Sequence, residues 1–160
     1  LTDQEQPQHC KPDYVRERAM RLLVAREHSQ HELCRKLIER SLDPQVVEQV
    51  VADLAEEGLQ SDLRYAEAYA RSRAARGFGL AGVVYELKGR GVTSRVIDLA
   101  LEEAAIDWQQ IARKALAKKF RLSDATTDVQ SKMRRYLYSR GFDSDQATDA
   151  IRALRNDVKS

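Results

Sequence analysis

Leu37-Ile38-Glu39-Arg40-Ser41-Leu42-Asp43, Leu87-Lys88-Gly89-Arg90-Gly91-Val92-Thr93 and Leu137-Tyr138-Ser139-Arg140-Gly141-Phe142-Asp143 are one pattern written three times at a constant spacing of 50 residues. A leucine, an arginine, an apolar residue and a cap candidate recur in fixed columns. The register continues through Val47, Ile97 and Ala147, then Val51, Leu101 and Ile151, then Leu54, Ala104 and Leu154. Those columns are four and three apart, the spacing of one helix face. A period of this length marks tandem helical units.

Each unit reads as three short helices. The first has them at Asp13 to Arg26, Ser29 to Arg40 and Pro44 to Glu57; the second at Asp62 to Arg76, Leu80 to Arg90 and Ser94 to Ala105; the third at Trp108 to Lys119, Thr127 to Arg140 and Ser144 to Leu154. Ser29 with Glu32 has the form of a capping box. Asp43 before Pro44 is a second start signal, and Gly58 a stop. The predicted fold is therefore all-α: three tandem three-helix, helix-turn-helix-like repeats forming an elongated curved molecule. Its divisions are a flexible segment 1–12, repeats 13–59, 60–106 and 107–155, and a tail 156–160. Units this small have little interior, so apolar stripes such as Leu22, Leu23, Tyr65 and Tyr69 are expected to dock each on its neighbour.

Composition agrees and excludes other classes. The chain is 42% hydrophobic, 32% charged and 6% aromatic, which favours helices rich in Ala, Leu, Arg and Glu. Cys10 and Cys34 are too few for a disulfide scaffold and suit a reducing cytoplasm. No apolar run approaches the roughly 20 residues that cross a bilayer, and Leu1 to Pro12 is polar, so a cytoplasmic protein with no membrane partner is expected.

Motifs that resemble chemistry fail on context. Gly77-Phe78-Gly79-Leu80-Ala81-Gly82 fits G-x-G-x-x-G, with Glu102 further on, but the preceding Tyr65 to Arg76 has a helical period where a dinucleotide site needs a buried strand. His28, His31 and Cys34 are three apart, yet they read as ordinary exposed histidines beside a helix start and a lone thiol. Three histidines within the first 31 residues do not assemble a Ser/His/Asp or Cys/His triad, and Glu56-Glu57 and Glu102-Glu103 read as solvated helix ends. No enzyme activity, metal or cofactor is expected.

The residues do resemble a known family. Leu22-Leu23-Val24-Ala25-Arg26-Glu27-His28-Ser29-Gln30-His31-Glu32-Leu33, with Lys36-Leu37, is similar to the opening motif of the RecX family. Gly58-Leu59-Gln60-Ser61-Asp62-Leu63-Arg64-Tyr65-Ala66, Arg71-Ser72-Arg73 and Gly77-Phe78-Gly79 resemble its second block. Glu86-Leu87-Lys88-Gly89-Arg90-Gly91-Val92 and Leu137-x-x-Arg140-Gly141-Phe142 resemble its later elements. Order and spacing carry the likeness over Val15 to Leu154. It implies a regulator that binds RecA in the groove of the DNA-bound filament and inhibits strand exchange, ATP turnover and co-protease activity, modulating DNA repair and the SOS response. Ser41 departs from the pattern, since its counterparts are Gly91 and Gly141.

Charge suggests where such a partner would be met. From Val15 to Asp62 seven Lys/Arg oppose ten Asp/Glu; from Arg71 to Arg95 six oppose one; from Ile111 to Arg140 nine oppose two. The candidate contacts are Arg71, Arg73, Arg76, Lys88, Arg90, Arg95, Lys118, Lys119, Arg121, Arg134 and Arg135, where guanidinium forks can grip carboxylate or phosphate. Reversing Arg71, Arg73 and Arg76 together is expected to weaken binding and leave helical content unchanged. Arg40, Arg90 and Arg140 share one position and read first as favourable charge near a helix C-terminus. The rival reading is a helix-turn-helix-like module with weak, nonspecific affinity for single- or double-stranded DNA; Ser94 to Glu103 is too acidic for a groove-reading helix. A monomer is expected.

Overall fold

A computed structural model describes residues 11–120 and 127–157. They form nine α-helices and no strand: α1 (Pro12–Ala25), α2 (Gln30–Ile38), α3 (Pro44–Glu56), α4 (Asp62–Ala75), α5 (Leu80–Gly89), α6 (Ser94–Ala104), α7 (Trp108–Lys119), α8 (Thr127–Ser139) and α9 (Ser144–Asp157). The nine helices expected from the sequence are present. Their ends differ modestly, with α2 stopping at Ile38 and α9 running through the residues expected to begin the tail. The start of the expected N-terminal segment, residues 1–10, lies outside the described residues, as does Arg121.

The repeat register survives as physical equivalence. Leu37, Leu87 and Leu137 are each fully buried, and Leu42, Val92 and Phe142 are 6%, 3% and 3% exposed. Ser41, Gly91 and Gly141 share a left-handed backbone, with φ of 63°, 77° and 84°. The cap column also functions. Asp43 Oδ1 accepts from the backbone N–H of Gln45 and Val46, Thr93 Oγ1 from Val96, and Asp143 Oδ1 from Gln146, whose own side chain accepts from the Asp143 N–H. One expected cap is altered: Ser29 Oγ does accept from Glu32 N–H, but the Glu32 carboxylate binds Arg26 instead of completing a capping box.

The helices pack as two units. One comprises residues up to 68 with 88–100, the other 69–87 with the residues from 101 on, so the middle repeat is divided between them. The first unit is built on Val15, Ala19, Leu33, Leu37, Val47, Val51 and Leu54. Leu22 and Leu23 are partly buried and pack against this core of their own repeat. The second unit is built on Leu116, Met133, Leu137, Phe142, Ala147 and Ile151. Burial of each large apolar side chain supplies about 1.5–3 kcal/mol.

Within each unit, one repeat meets the next through the same joint. In the second unit the helix start of the middle repeat lies on the Arg140-Gly141 turn of the third, with Gly79 N–H donating to the Arg140 carbonyl at 2.7 Å and Ala81 N–H to the Gly141 carbonyl at 3.1 Å. Helix starts leave such N–H groups unpaired, and here backbone satisfies them. The approach excludes side chains: a β-carbon at Gly79 would sit 2.5 Å from the Gly141 oxygen, and one at Gly141 2.5 Å from the Gly82 nitrogen. In the first unit the equivalent Arg90-Gly91 turn receives the start of α2. Ser29 Oγ donates to the Arg90 carbonyl at 2.8 Å, and a β-carbon at Gly91 would meet His31 Cβ at 2.5 Å. The G-x-G-x-x-G string is therefore a packing device. Ser41, onto which no helix docks among the described residues, keeps its β-carbon despite its positive φ.

Gly79→Ala should consequently lower stability by roughly 2 kcal/mol, the usual cost of forcing atoms into a filled site. Gly89→Ala, whose added methyl meets nothing within 4 Å, should be neutral or stabilising by about 0.5–1 kcal/mol. Urea denaturation of the two variants beside the parent protein checks both.

Candidate functional site

The expected contact residues separate into cations already engaged within the fold and cations that are not. Arg71 Nη1 donates to the Ala104 carbonyl at 3.0 Å and Nη2 to that of Glu103 at 3.4 Å, so it closes the C-terminal end of α6. Arg73 is paired with Glu86, which also accepts from Tyr69 Oη at 2.7 Å, and its guanidinium lies 3.4 Å over the Phe78 ring. Its side chain is only 15% exposed. The expectation that reversing Arg71, Arg73 and Arg76 would leave helical content untouched is revised by these contacts, because two of the three hold elements in place. Arg134 Nη1 donates to Thr148 Oγ1 at 3.0 Å. Arg90 is half-buried at the first joint, near the like charge of Arg26. Lys88 and Arg95 are exposed on the first unit and Arg135 on the second.

Three others converge with two cations that were not among the expected contacts. Arg76, at the end of α4, Lys118 and Lys119 on α7, and with them Lys114 and Arg140, surround a groove of about 420 Å3 in the second unit. Its floor includes Ala74, Ala75 and Ala115, and Tyr136 forms part of its wall. None of the five cations has a carboxylate partner among the described residues. Arg140 is held in orientation: its Nη1 donates to the Arg76 carbonyl at 3.1 Å, and its guanidinium lies 4.6 Å from the Phe78 ring centre and 5.3 Å from that of Tyr136. The expected role of Arg140, charge at a helix C-terminus, is thus realised at the end of α4 in the preceding repeat. The Lys114-x-x-x-Lys118 spacing was legible as one helix face. What no sequence signal gave was its meeting with Arg76 and Arg140.

The first unit contrasts in its electrostatics. Arg16 grips Glu57 with both nitrogens, and Arg21–Glu17, Arg35–Glu39 and Arg64–Glu27 are further ion pairs. Exposed pairs of this kind contribute about 0–1 kcal/mol each. The exception is Glu32, 5% exposed, which takes Arg26 Nη2 at 2.6 Å and Nη1 at 3.1 Å, with Lys36 at 3.5 Å. Burial alone would raise its pKa, but the Arg26 hydrogen bonds and the charges of Arg26 and Lys36 outweigh it and hold the carboxyl at about 2.

His28 is buried, 2% exposed, where an exposed histidine was expected. Its Nε2 lies 3.1 Å from Lys36 Nζ and its Nδ1 3.0 Å from the Arg26 carbonyl. An ammonium can only donate, so Nε2 accepts and Nδ1–H donates, which fixes a neutral tautomer. Burial, then the Arg26 and Lys36 charges, push the imidazole pKa down. Both ring nitrogens are engaged, and no group of three His, Cys, Asp or Glu among the described residues is placed to hold a metal ion. No helix among them is long and apolar enough to cross a membrane.

Glu32→Gln should cost roughly 2 kcal/mol at neutral pH, the scale of charge-assisted hydrogen bonds. A depressed carboxylate pKa stabilises above the unfolded value and loses that contribution as pH falls toward the folded one. The gap between parent and variant should therefore be full above the ordinary value of 4.5 and shrink between there and about 2, read from denaturation midpoints across that range.

Comparison with known proteins places every repeat. Models of the first, second and third RecX three-helix domains match residues 16–54, 61–101 and 106–151. The chain is 43% identical over 136 residues to the regulatory protein RecX of Chromohalobacter salexigens, covering 85% of this chain and 90% of that one. It is 41% identical over 145 residues to that of Halorhodospira halophila, covering 89% of each. Among solved structures, the fold is similar to a crystal structure of regulatory protein RecX, with TM-score 0.74, 22% identity and 89% and 73% coverage of the two chains. It is also similar to RecX from Lactobacillus salivarius, with TM-score 0.71, 20% identity and 89% and 96% coverage.

Proposed function

This chain belongs to the RecX family, and we propose on that premise that it is a regulatory protein whose target is RecA and the DNA-bound RecA filament. Binding would inhibit strand exchange, ATP turnover and co-protease activity, and so restrain DNA repair and the SOS response. The observation that carries the reading is the match of all three RecX domains, in order, along one chain.

Physical properties support it. Tandem units allow one chain to touch successive protomers of a polymer, and a second contact made by a tethered unit is favoured by its high effective concentration. A ligand that contacts two protomers couples their relative positions, which is a route to inhibiting turnover from outside the ATP site. The proposed contacts are the exposed cations, Lys88 and Arg95 on the first unit and Arg76, Lys118, Lys119 and Arg135 on the second. Arg71, Arg73, Arg90 and Arg134 act through the fold that presents them. Arg121 remains a candidate outside the described residues.

RecA ATPase on single-stranded DNA, with this protein titrated in from substoichiometric amounts, tests the proposal. Inhibition is expected, and Lys88→Glu with Arg95→Glu should weaken it on the order of tenfold with an unchanged denaturation midpoint. Unimpaired ATP turnover at a large excess of the protein would refute the assignment.

A further inference from the structure

We propose that the joint between the first and second repeats is a proton-operated latch, held shut by the neutral ring of His28 and released when that ring takes up a proton. Three consecutive residues of the first repeat fasten it to the second. The His28 carbonyl accepts from Gln60 Nε2 at 3.0 Å, Ser29 Oγ donates to the Arg90 carbonyl at 2.8 Å, and the Gln30 N–H donates to Asp62 Oδ1 at 2.8 Å. The His28 ring is the anchor behind them, 2% exposed, with Nδ1 against the Arg26 carbonyl and Nε2 at 3.1 Å from Lys36 Nζ. Displacing the ring therefore displaces all three fastenings together. The closed joint also carries a cost: Gln60 Oε1 is buried there and accepts no hydrogen bond among the described residues, a deficit that opening to water relieves.

Protonation acts on this anchor. The proton can enter only at Nε2, because Nδ1 already carries one. Nε2 then ceases to accept from Lys36, and two cations face each other at hydrogen-bond distance in a buried site. Arg26 adds a third positive charge. Among the described residues the one acid that acts on the ring is Glu32, and its carboxylate is already held by both Arg26 nitrogens and by Lys36. Around this cluster, Glu27 is paired with Arg64, Asp62 accepts from Gln30 and Gln60, and Arg90 and Tyr65 act on Arg26. The imidazolium thus gains solvation only by leaving its pocket, which unfastens His28, Ser29 and Gln30. An exposed histidine takes its proton near 6.5, whereas burial and the Arg26 and Lys36 charges make the folded ring refuse it. The closed joint is therefore at full strength above 6.5 and weakens as pH falls below that value toward the folded one.

Hydrogen exchange of the Gln30 amide in the full chain between about pH 8 and about pH 5, corrected for intrinsic exchange, reads the latch, and the ring-nitrogen NMR shifts of His28 over the same range read its protonation. Protection of Gln30 should be constant above 6.5 and fall several-fold below it, by at most about tenfold per pH unit, the limit set by one refused proton. The folded ring should hold the Nδ1–H tautomer and titrate below 6.5, and the loss at Gln30 should level off where it does. His28→Gln, whose amide oxygen accepts from Lys36 but does not titrate, should remove the pH dependence, and His31→Gln should retain it. The proposal is overturned if Gln30 is equally protected at both ends of the range, which would mean that Lys36 swings aside and the joint stays shut. It is overturned equally if the folded ring titrates at or above 6.5, if His28→Gln keeps the parent's pH dependence, or if His31→Gln abolishes it. The first two measurements use the parent protein alone, so they decide even where a variant fails to fold.

Discussion

The arrangement rests on a backbone-to-backbone joint: an Arg-Gly turn in one repeat receives the helix start of the repeat before it. A helix start exposes N–H groups that must find acceptors, and a turn exposes carbonyls that must find donors. In the second unit each need answers the other, with Gly79 and Ala81 donating to Arg140 and Gly141. Contact this close requires the absence of side chains on both faces, which is why glycine stands at 79 and 141. The first unit solves the same problem with a hydroxyl, Ser29 Oγ reaching the Arg90 carbonyl, and keeps glycine only on the turn. Apolar burial gives each unit its core, but these hydrogen bonds set the register in which one repeat meets the next.

The arginine that accompanies each turn links this joint to electrostatics. Arg140 fastens the Arg76 carbonyl and stacks on Phe78, whose ring also receives Arg73. Guanidinium suits such a position because it donates in its plane and stacks by its faces, which an ammonium cannot do together. By holding Arg140 beside Arg76 and α7, the joint concentrates positive charge on one side of the second unit. The first unit instead compensates its buried carboxylate, with Arg26 and Lys36 paired to Glu32 and Lys36 also donating to the buried His28 ring. One fold thus yields, from repeated parts, a buried carboxylate compensated by cations in one unit and a groove of cations without carboxylate partners among the described residues in the other.

Most of the fold was legible because it is written in columns. Helix period, caps and the 50-residue spacing are local, and local rules placed all nine helices within a few residues. The family likeness was legible for the same reason, being carried by short strings in order. The site was less so. Net charge located the basic stretch but could not tell Arg71 and Arg73, consumed by carbonyls and Glu86, from Arg76, which is not. Neither could it see that Lys114 and Arg140 share a groove, since 26 residues and a helix separate them. Burial of His28 was missed because its ring answers to Lys36 and the Arg26 carbonyl, partners fixed by a turn whose geometry no spacing rule describes.

Native-state hydrogen exchange tests the joint most directly, since it reads single amides under folding conditions. If the Arg-Gly turn caps the preceding repeat, the amides of Gly79 and Ala81 should exchange as slowly as those of buried α5, such as Leu87, although both lie at a helix start. Arg95, at the exposed first turn of α6, should exchange rapidly. Gly79 and Ala81 exchanging as fast as Arg95 would contradict the account.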